Sequence, residues 1–388
     1  MNTDSIPLRW PAAWKDPGIL SWLQASPVRF SILDAEAKVP PSGVFTVRGP
    51  WPGIRLSPAG GDHAVAGPTG EPWVDSNGWR IRAARAVHPE ATIWVDSKPQ
   101  ASRSSVEDYV IALADAAAHG GRWIITLDDR LAAGIRSKQA DDMAAWKRIS
   151  DAAGFFAQSK TGGYADDAVI GVLSSFGGPK VGFTDEVLNN LARTKQQYRA
   201  MAMGRLSSAA FDGLKGIIYT DASEPPSSVR KQVLEFVNAG GMLITGPAWG
   251  SLPKGPAAGT HPRFALRTVG SGSIALATTS FADPYLAPND AVMLASHRND
   301  IVRFFNGGAI TPCLSTSADK RQATLQTVFY SLRPVEDVSV WVKGAWRSAR
   351  LRTPNQTEPQ NVKLEVREGG VEMYLPPIAQ YALIELES

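Results

Sequence analysis

Several kinds of functional site can be excluded because the sequence lacks the residues that build them. Cys313 is the one cysteine among 388 residues, which rules out an intramolecular disulfide and a multi-cysteine metal site. The five histidines show no HxH or HExxH spacing, which argues against zinc. Gly177-Gly178-Pro179 lacks both the Gly-x-Gly-x-x-Gly pattern and a Walker lysine, so no phosphate loop is predicted. We therefore expect no metal and no cofactor.

The charges are balanced and scattered. With 40 Lys and Arg against 37 Asp and Glu, the formal net charge is +3, and no basic cluster resembles a nucleic-acid-binding surface. No apolar run approaches the ~20 residues that span a bilayer. The N-terminus shows no signal peptide, which fits a cytoplasmic protein or a periplasmic or secreted one whose signal peptide has been removed. We expect neither a nucleic-acid nor a membrane partner, and the localisation stays open.

Tryptophan and proline are in excess, with 12 and 28 residues, and the most informative segment, 67–79 (GPTGEPWVDSNGW), contains both. Asp75, Ser76 or Asn77 could cap a helix predicted over residues 80–88. Sugar rings stack on aromatic faces and their hydroxyl groups need fixed hydrogen-bond partners, so this segment suits a carbohydrate site. The alternative is a loop whose tryptophans cover the core.

Strand and helix patterns alternate up to about residue 160, which predicts parallel βα units. The predicted strands are 27–34, 43–48, 91–96 and 122–129, and the predicted helices lie around 76–88, 104–119 and 139–158. Three of the four strands end in carboxylates, and the remaining strand ends in Arg48. In parallel α/β folds the carboxyl ends of the strands form the site. The alternative is that strand-end aspartates only form turns or cap helices.

Two further regions follow. Residues 161–310 predict a Rossmann-like or flavodoxin-like α/β domain, with strands at 168–175, 214–221 and 242–246 and helices at 184–202 and 227–239. A helix is also expected over 286–305. Residues 311–388 show short alternating strands separated by turn signals such as Glu368-Gly369-Gly370, which predicts a small antiparallel β-sandwich.

This order of regions resembles β-galactosidase-type glycoside hydrolases. The resemblance is carried by segments 214–219 (LKGIIY) and 233–244 (VLEFVNAGGMLI), and by 340–346 (VWVKGAW) and 375–381 (LPPIAQY). It implies a TIM-barrel-like domain over 1–160, a class I glutamine-amidotransferase-like trimerisation domain over 161–310 and a C-terminal β domain over 311–388.

The sequence departs from that family in two respects. A full barrel needs about 250 residues, so we expect a barrel that is either partial or completed by irregular segments. No Asn-Glu pair marks an acid/base residue before residue 160, and the family's catalytic residues are therefore not transferred. The turn 246–250 contains neither Cys nor Ser, so we expect the middle domain to act as scaffold or subunit interface, without glutaminase activity. A dimer or trimer is expected.

The chemistry that remains is that of paired carboxylates, which glycoside hydrolysis requires. We predict Asp75 and Asp96 as catalytic carboxylates and Asp128 as a third acid. Arg48, Arg55 and Lys98 could bind a carboxylated sugar. The predicted substrate-binding residues are Trp73, Trp79, Asn77, Glu71, Arg48, His63, Lys98 and Asp34.

His63 is the strongest functional candidate among the histidines. His88 and His119 are instead expected to lie at helix C-termini, where a cation meets the helix dipole. The predicted function is a glycoside hydrolase acting on a poly- or oligosaccharide. The alternative is a non-catalytic carbohydrate-binding or scaffold protein derived from a glycosidase.

Overall fold

The structure of the chain is a computed structural model, which divides into two compact units. Unit 1 comprises Met1–Ala165, Phe304–Val340 and Gly344–Ser388, and unit 2 comprises Asp166–Arg303 and Trp341–Lys343. The residues that it describes are 5–10, 17–24, 28–34, 40–55, 58–59, 63–64, 73–99, 105–158, 164–179, 181–278, 281, 283–356 and 358–388. The architecture is mixed α/β with several sheets. No described helix is both long and apolar enough to cross a bilayer.

The N-terminal segment of unit 1 alternates short strands with helices, as the sequence predicts. Its strands are β1 (Ile6–Trp10), β2 (Phe30–Asp34), β3 (Val44–Arg48), β4 (Gly53–Arg55), β5 (Pro58–Ala59), β6 (His63–Ala64), β7 (Trp73–Asp75), β8 (Thr92–Asp96), β9 (Arg122–Trp123) and β10 (Ile125–Thr126). Its helices are α1 (Pro17–Gln24), α2 (Gly78–Val87), α3 (Val106–Ala118), α4 (Asp129–Arg136) and α5 (Ala140–Gln158).

Six of these strands form two parallel three-stranded sheets, with the orders β10-β1-β2 and β3-β8-β9. Only Ile124 separates β9 from β10, and its N–H donates to the carbonyl of Val95 at 2.9 Å. The predicted strand 122–129 is thus two short strands, one in each sheet. Because all pairings are parallel, the carboxyl ends of the strands in each sheet lie at one edge.

Helix α3 is the centre of unit 1. A capping box fixes its start: Ser105 Oγ accepts from the Asp108 N–H, and the Asp108 carboxylate accepts from the Ser105 N–H. Nearly every α3 side chain is buried, which is typical of a helix enclosed on all sides. One cluster of buried side chains joins the helix to the C-terminal strands of the same unit: Ile111, Ala114, Ala118, Val328, Tyr330, Tyr381 and Leu383.

The strands in the C-terminal part of the chain are β19 (Val302–Phe305), β20 (Ile310–Thr316), β21 (Gln322–Phe329), β22 (Ser339–Lys343), β23 (Ser348–Arg352), β24 (Gln360–Asn361), β25 (Leu364–Arg367), β26 (Gly370–Tyr374) and β27 (Tyr381–Glu387). Among these, β20–β21, β21–β27, β23–β27, β23–β24 and β25–β26 pair antiparallel, as the alternating pattern predicts. The six-stranded sheet has the order β11-β20-β21-β27-β23-β24, where β11 is Ala165–Asp166. β25 and β26 form a hairpin.

Unit 2 contains a seven-stranded sheet with the order β13-β12-β14-β15-β18-β17-β16. The first five strands are parallel, β17 is antiparallel to β18, and β16 is antiparallel to β17. The strands are β12 (Ile170–Ser174), β13 (Tyr198–Ala202), β14 (Gly216–Tyr219), β15 (Met242–Thr245), β16 (Ala257–Thr260), β17 (Phe264–Val269) and β18 (Gly272–Ala277). The helices are α6 (Val181–Arg193), α7 (Ser227–Asn238) and α8 (Leu286–Ala291).

Two predicted helices of the middle region are shorter than expected. The helix predicted over 184–202 ends at Arg193, because Lys195 adopts a left-handed conformation with φ 61° and the chain then enters β13. The helix predicted over 286–305 passes from α8 into a π-helical turn, Val292–Ser296, and its last residues form β19.

Candidate active site

An ion pair connects two of the strand ends in unit 1. Arg9, on β1, donates from Nη1 to Asp96 Oδ1 at 2.8 Å and from Nη2 to Asp96 Oδ2 at 3.1 Å. Asp96 is the last residue of β8. The same Nη1 lies 3.3 Å from Thr126 Oγ1 at the end of β10. Such a two-pronged contact fixes the plane of the carboxylate, so the exits of three strands are held together.

The carbonyl of Pro50 joins the segments that follow β7 and β8. Asn77 Nδ2 and Ser97 Oγ both donate to it, at 3.0 and 3.1 Å. The Gly49 N–H in turn donates to the carbonyl of Asp96 at 3.2 Å. The segments after β3, β7 and β8 therefore form one connected group at the carboxyl edge of the parallel strands. We call residues 9, 48–50, 75–77 and 96–98 the edge cluster.

Four of the predicted catalytic and binding residues occupy this edge cluster together with Asn77. Asp75 is half-buried at the end of β7, where it pairs with Gly53 of β4. Arg48 is the register partner of Asp96 in adjacent parallel strands, and its side chain is exposed. Lys98 is also exposed. The edge cluster thus carries carboxylate, amide and cationic groups side by side, which is a set that can bind sugar hydroxyls or a sugar carboxylate.

Asp128 has a structural role in the observed conformation. It is the N-cap of α4, and its Oδ1 accepts from the Leu131 N–H at 3.0 Å. The Tyr109 hydroxyl donates to Asp128 Oδ2 at 3.0 Å, and burial raises the pKa of that phenol, with the Asp128 carboxylate adding to the shift. The alternative that strand-end aspartates cap helices is therefore observed at Asp128, and its role as a third acid stays a prediction.

Trp79 and Asn77 differ in part from their predicted roles. Trp79 is 4% exposed and Arg80 lies over its ring, 4.0 Å from the centroid, so neither face is open to a sugar in this conformation. Asn77 occupies the N-cap of α2, as expected for one of three candidates, but its side chain makes no capping hydrogen bond. It is directed instead to Pro50.

Four other predicted residues cannot be placed as side chains. Glu71 lies outside the described residues. For Asp34, His63 and Trp73 the structure describes the backbone, which lies in β2, β6 and β7 respectively. In β2 the register pairs Asp34 with Trp10, which puts its backbone at the same sheet edge. Their predicted roles stay predictions.

His88 and His119 are the C-cap residues of α2 and α3, as predicted. His119 does not act as a cation there. Its ring is buried, and burial, with Arg82 and Arg85 adding to the effect, lowers its pKa well below the usual value. No group of three or more potential metal ligands occurs among the described residues.

Three site residues were missed by the sequence interpretation: Arg9, Asp115 and Tyr330. Arg9 lies on β1, a strand that was not predicted because Pro7 interrupts its pattern. Asp115 is 1% exposed, and its carboxylate accepts from the Asn77 N–H and from the Tyr330 hydroxyl. Burial raises the pKa of Asp115 to about 6, against opposing hydrogen bonds. A carboxylate within an apolar helix was the one available signal for Asp115.

No known protein family and no curated protein matches this sequence. Solved structures do match. An α-L-fucosidase isoenzyme 2 from Paenibacillus thiaminolyticus has a TM-score of 0.53 at 11% identity, over 80% of this chain and 62% of that one. A rhamnosidase from Novosphingobium sp. PP1Y has a TM-score of 0.53 at 10% identity, over 93% of this chain and 37% of that one. A β-galactosidase from Rahnella sp. R3 has a TM-score of 0.50 at 10% identity, over 80% of this chain and 57% of that one.

These likenesses concern the fold. They confirm the predicted architecture of β-galactosidase-type glycoside hydrolases. The chain spans 62%, 37% and 57% of the three matched enzymes.

Proposed function

We propose that this chain is a glycoside hydrolase acting on a poly- or oligosaccharide. The observation that carries the proposal is the edge cluster, in which hydrogen bonds through Gly49 and Pro50 connect Asp96 with the segment 75–77, in a glycosidase-type fold. Hydrolysis would break the bond between the anomeric carbon and the leaving oxygen, with water supplying a hydroxyl to the carbon and a proton to the oxygen. Asp75 and Asp96 are the proposed pair of carboxylates.

The finer architecture is part of the same proposal. We assign residues 1–160 to a partial TIM-barrel-like domain, 161–310 to an amidotransferase-like domain and 311–388 to a β-sandwich. The parallel pairing of β10 with β1 supports the first assignment, because in a barrel the last strand returns to the first. The strand order β13-β12-β14-β15 supports the second, since it is the flavodoxin-like order 2-1-3-4.

The second candidate is a non-catalytic carbohydrate-binding protein with the same fold. Two observations favour it. Both oxygens of Asp96 are engaged by Arg9, and Asp128 caps a helix, so two of the three predicted acids already have partners. The missing Asn-Glu pair points in the same direction. In this case the edge cluster would bind sugar without cleaving it.

One experiment separates the two candidates. The purified protein is screened against neutral and carboxylated oligosaccharides, with product release and thermal stabilisation measured in parallel. Asp75→Asn and Asp96→Asn test the site, and Glu90→Gln, an exposed turn residue, is the matched control. Turnover that is lost in both site variants while binding persists supports the hydrolase. Stabilisation by a sugar without product supports the binding protein, and unchanged turnover in both variants would refute the site assignment.

Self-association is proposed as well. In the resembled enzymes the middle domain assembles subunits, and we expect a dimer or trimer here. Light scattering at micromolar concentration tests this, and a monomer would contradict it.

A further inference from the structure

We propose that Asp115 and Tyr330 are positioning residues that hold the loop Asp75–Asn77 in the edge cluster. This inference rests on the proposed function for its catalytic meaning, because that loop contains one of the proposed carboxylates. Its structural part stands on a chain of buried hydrogen bonds within unit 1.

Asp115 contacts the backbone of the loop. Asp115 Oδ2 accepts from the N–H of Asn77 at 2.9 Å. Asn77 is the N-cap of α2, and its own side chain makes no capping bond. Asp115, which belongs to α3, therefore supplies the acceptor that ties down the start of a different helix. Asp75 lies two residues before Asn77 and pairs with Gly53 of β4, so the contact with Asp115 fixes the other end of the short segment that carries Asp75.

The other oxygen of Asp115 is held from the C-terminal sheet. The Tyr330 hydroxyl donates to Asp115 Oδ1 at 2.6 Å, and it also lies 2.9 Å from Thr311 Oγ1 of β20. Asp115 and Tyr330 are 1% and 2% exposed. Both carboxylate oxygens therefore have a partner, one on the loop and one on the sheet, and the hydrogen-bonded chain continues from Asn77 Nδ2 to Pro50.

A role in packing alone would not require a carboxylate at this position. Asp115 lies in α3 between Ala114 and Ala116, both buried, and an apolar residue there would avoid the free energy of desolvating a charge. What the carboxylate adds is a directed hydrogen bond to one backbone N–H. Removal of the Tyr330 hydroxyl deprives the carboxylate of one donor, and that should make the loop more mobile while its hydrogen bond to the Asn77 N–H remains.

Hydrogen exchange of the segment 74–79 in the full chain tests the proposal without needing a substrate. Tyr330→Phe should speed exchange of this segment about tenfold, the loss expected for a buried hydrogen bond to a charged group. Tyr381→Phe is the matched control, because its buried hydroxyl donates to Gln326 of the same sheet at 2.7 Å and does not reach the loop. Asp115→Asn keeps the shape of the side chain and one acceptor oxygen. In this variant the segment 74–79 should exchange more slowly than in Asp115→Leu, at a rate closer to that of the unsubstituted chain.

Faster exchange in Tyr330→Phe than in Tyr381→Phe supports positioning. Equal exchange in the two variants, or an unchanged rate in Tyr330→Phe, overturns it. Where the sugar screen finds turnover, Tyr330→Phe should lower kcat more than it raises KM, because it displaces Asp75 and leaves the exposed basic groups in place. A failed sugar screen overturns the proposed function and leaves the exchange result to decide the positioning.

Discussion

Arg9 of β1 and Asp96 of β8, which are 87 residues apart in sequence, form a bidentate ion pair between two different sheets. The two side chains are 18% and 24% exposed, so both charges are largely removed from water. Two hydrogen bonds therefore fix the Asp96 carboxylate in the edge cluster. Asp96 has a structural role through this pair, independent of any action on a substrate.

Asp96→Asn should therefore destabilise the fold as well as change any activity. It leaves the Arg9 guanidinium partly buried with weakened partners, and we expect the free energy of unfolding to fall by about 1–3 kcal/mol. Urea unfolding at neutral pH measures this. Glu90→Gln, on an exposed turn, should change it by less than about 0.5 kcal/mol. An Asp96→Asn variant as stable as the unsubstituted chain would mean that the pair contributes nothing to the fold.

The buried carboxyl of Asp115 should make stability depend on pH. Burial raises its pKa from 3.8 to about 6, against hydrogen bonds from Tyr330 and Asn77 and the charge of Arg80. Because the folded-state pKa is raised, the contribution to stability is fully present below pH 4 and is lost as the pH rises through 6. The shift corresponds to about 3 kcal/mol.

The measurement is the free energy of unfolding between pH 4.5 and 7.5 for the unsubstituted chain and Asp115→Asn. The free energy of unfolding of the unsubstituted chain should fall relative to that of Asp115→Asn as the pH rises, because Asp115 ionises and Asn does not titrate. Tyr330→Phe should move the midpoint to higher pH, since it removes a donor that favours the ionised carboxyl. A difference that is constant across this range would contradict the assignment.

Gly78 cannot carry a side chain without displacing His119. A Cβ built on Gly78 would lie 2.1 Å from His119 Cδ2 and 2.2 Å from Nε2. Gly78→Ala should thus destabilise the chain by about 1–3 kcal/mol through overpacking. Gly177→Ala, where a Cβ would meet nothing within 4 Å, is the control. In a double-mutant cycle, His119→Ala should recover part of the loss, and additive effects would refute the contact.

Strand-end polarity predicted that Arg48 and Asp96 end strands, and the structure shows them there. The sequence placed Arg48 and Asp96 at the ends of neighbouring βα strands, and the structure makes them register partners. Periodicity could not reveal Arg9 or Tyr330, because what defines them is a partner 87 or 215 residues away. The short strands also resist prediction, since β9 and β10 have two residues each and are stabilised by their parallel neighbours.

The burial of Trp79 could not be predicted for the same reason, because it too depends on residues distant in sequence. The sequence marked it as an aromatic beside a polar loop, a pattern shared by sugar platforms and by core residues that follow a turn. Burial decides between these interpretations, and burial depends on the elements packed against α2, which no local pattern encodes.

The exposed cations of the edge cluster predict a preference for carboxylated glycans, on the basis of the proposed function. Arg48 and Lys98 end or follow the neighbouring parallel strands β3 and β8, and both are exposed. Arg9, by contrast, is occupied by Asp96. A sugar carboxylate could therefore bind to Arg48 in a two-pronged contact, while Lys98 contributes as a point charge.

Calorimetric titration with an oligouronate and with a neutral oligosaccharide of equal length tests this preference. Arg48→Gln should weaken oligouronate binding about tenfold and Lys98→Gln severalfold, the loss should shrink at high salt, and neutral binding should hardly change. Arg48→Lys keeps the charge but loses the fork, so it should restore only part of the affinity. Lys138→Gln, an exposed cation at the end of α4, is the control. If Arg48→Gln weakened binding of the acidic and the neutral sugar equally, Arg48 would support the loop geometry and would not bind the sugar carboxylate.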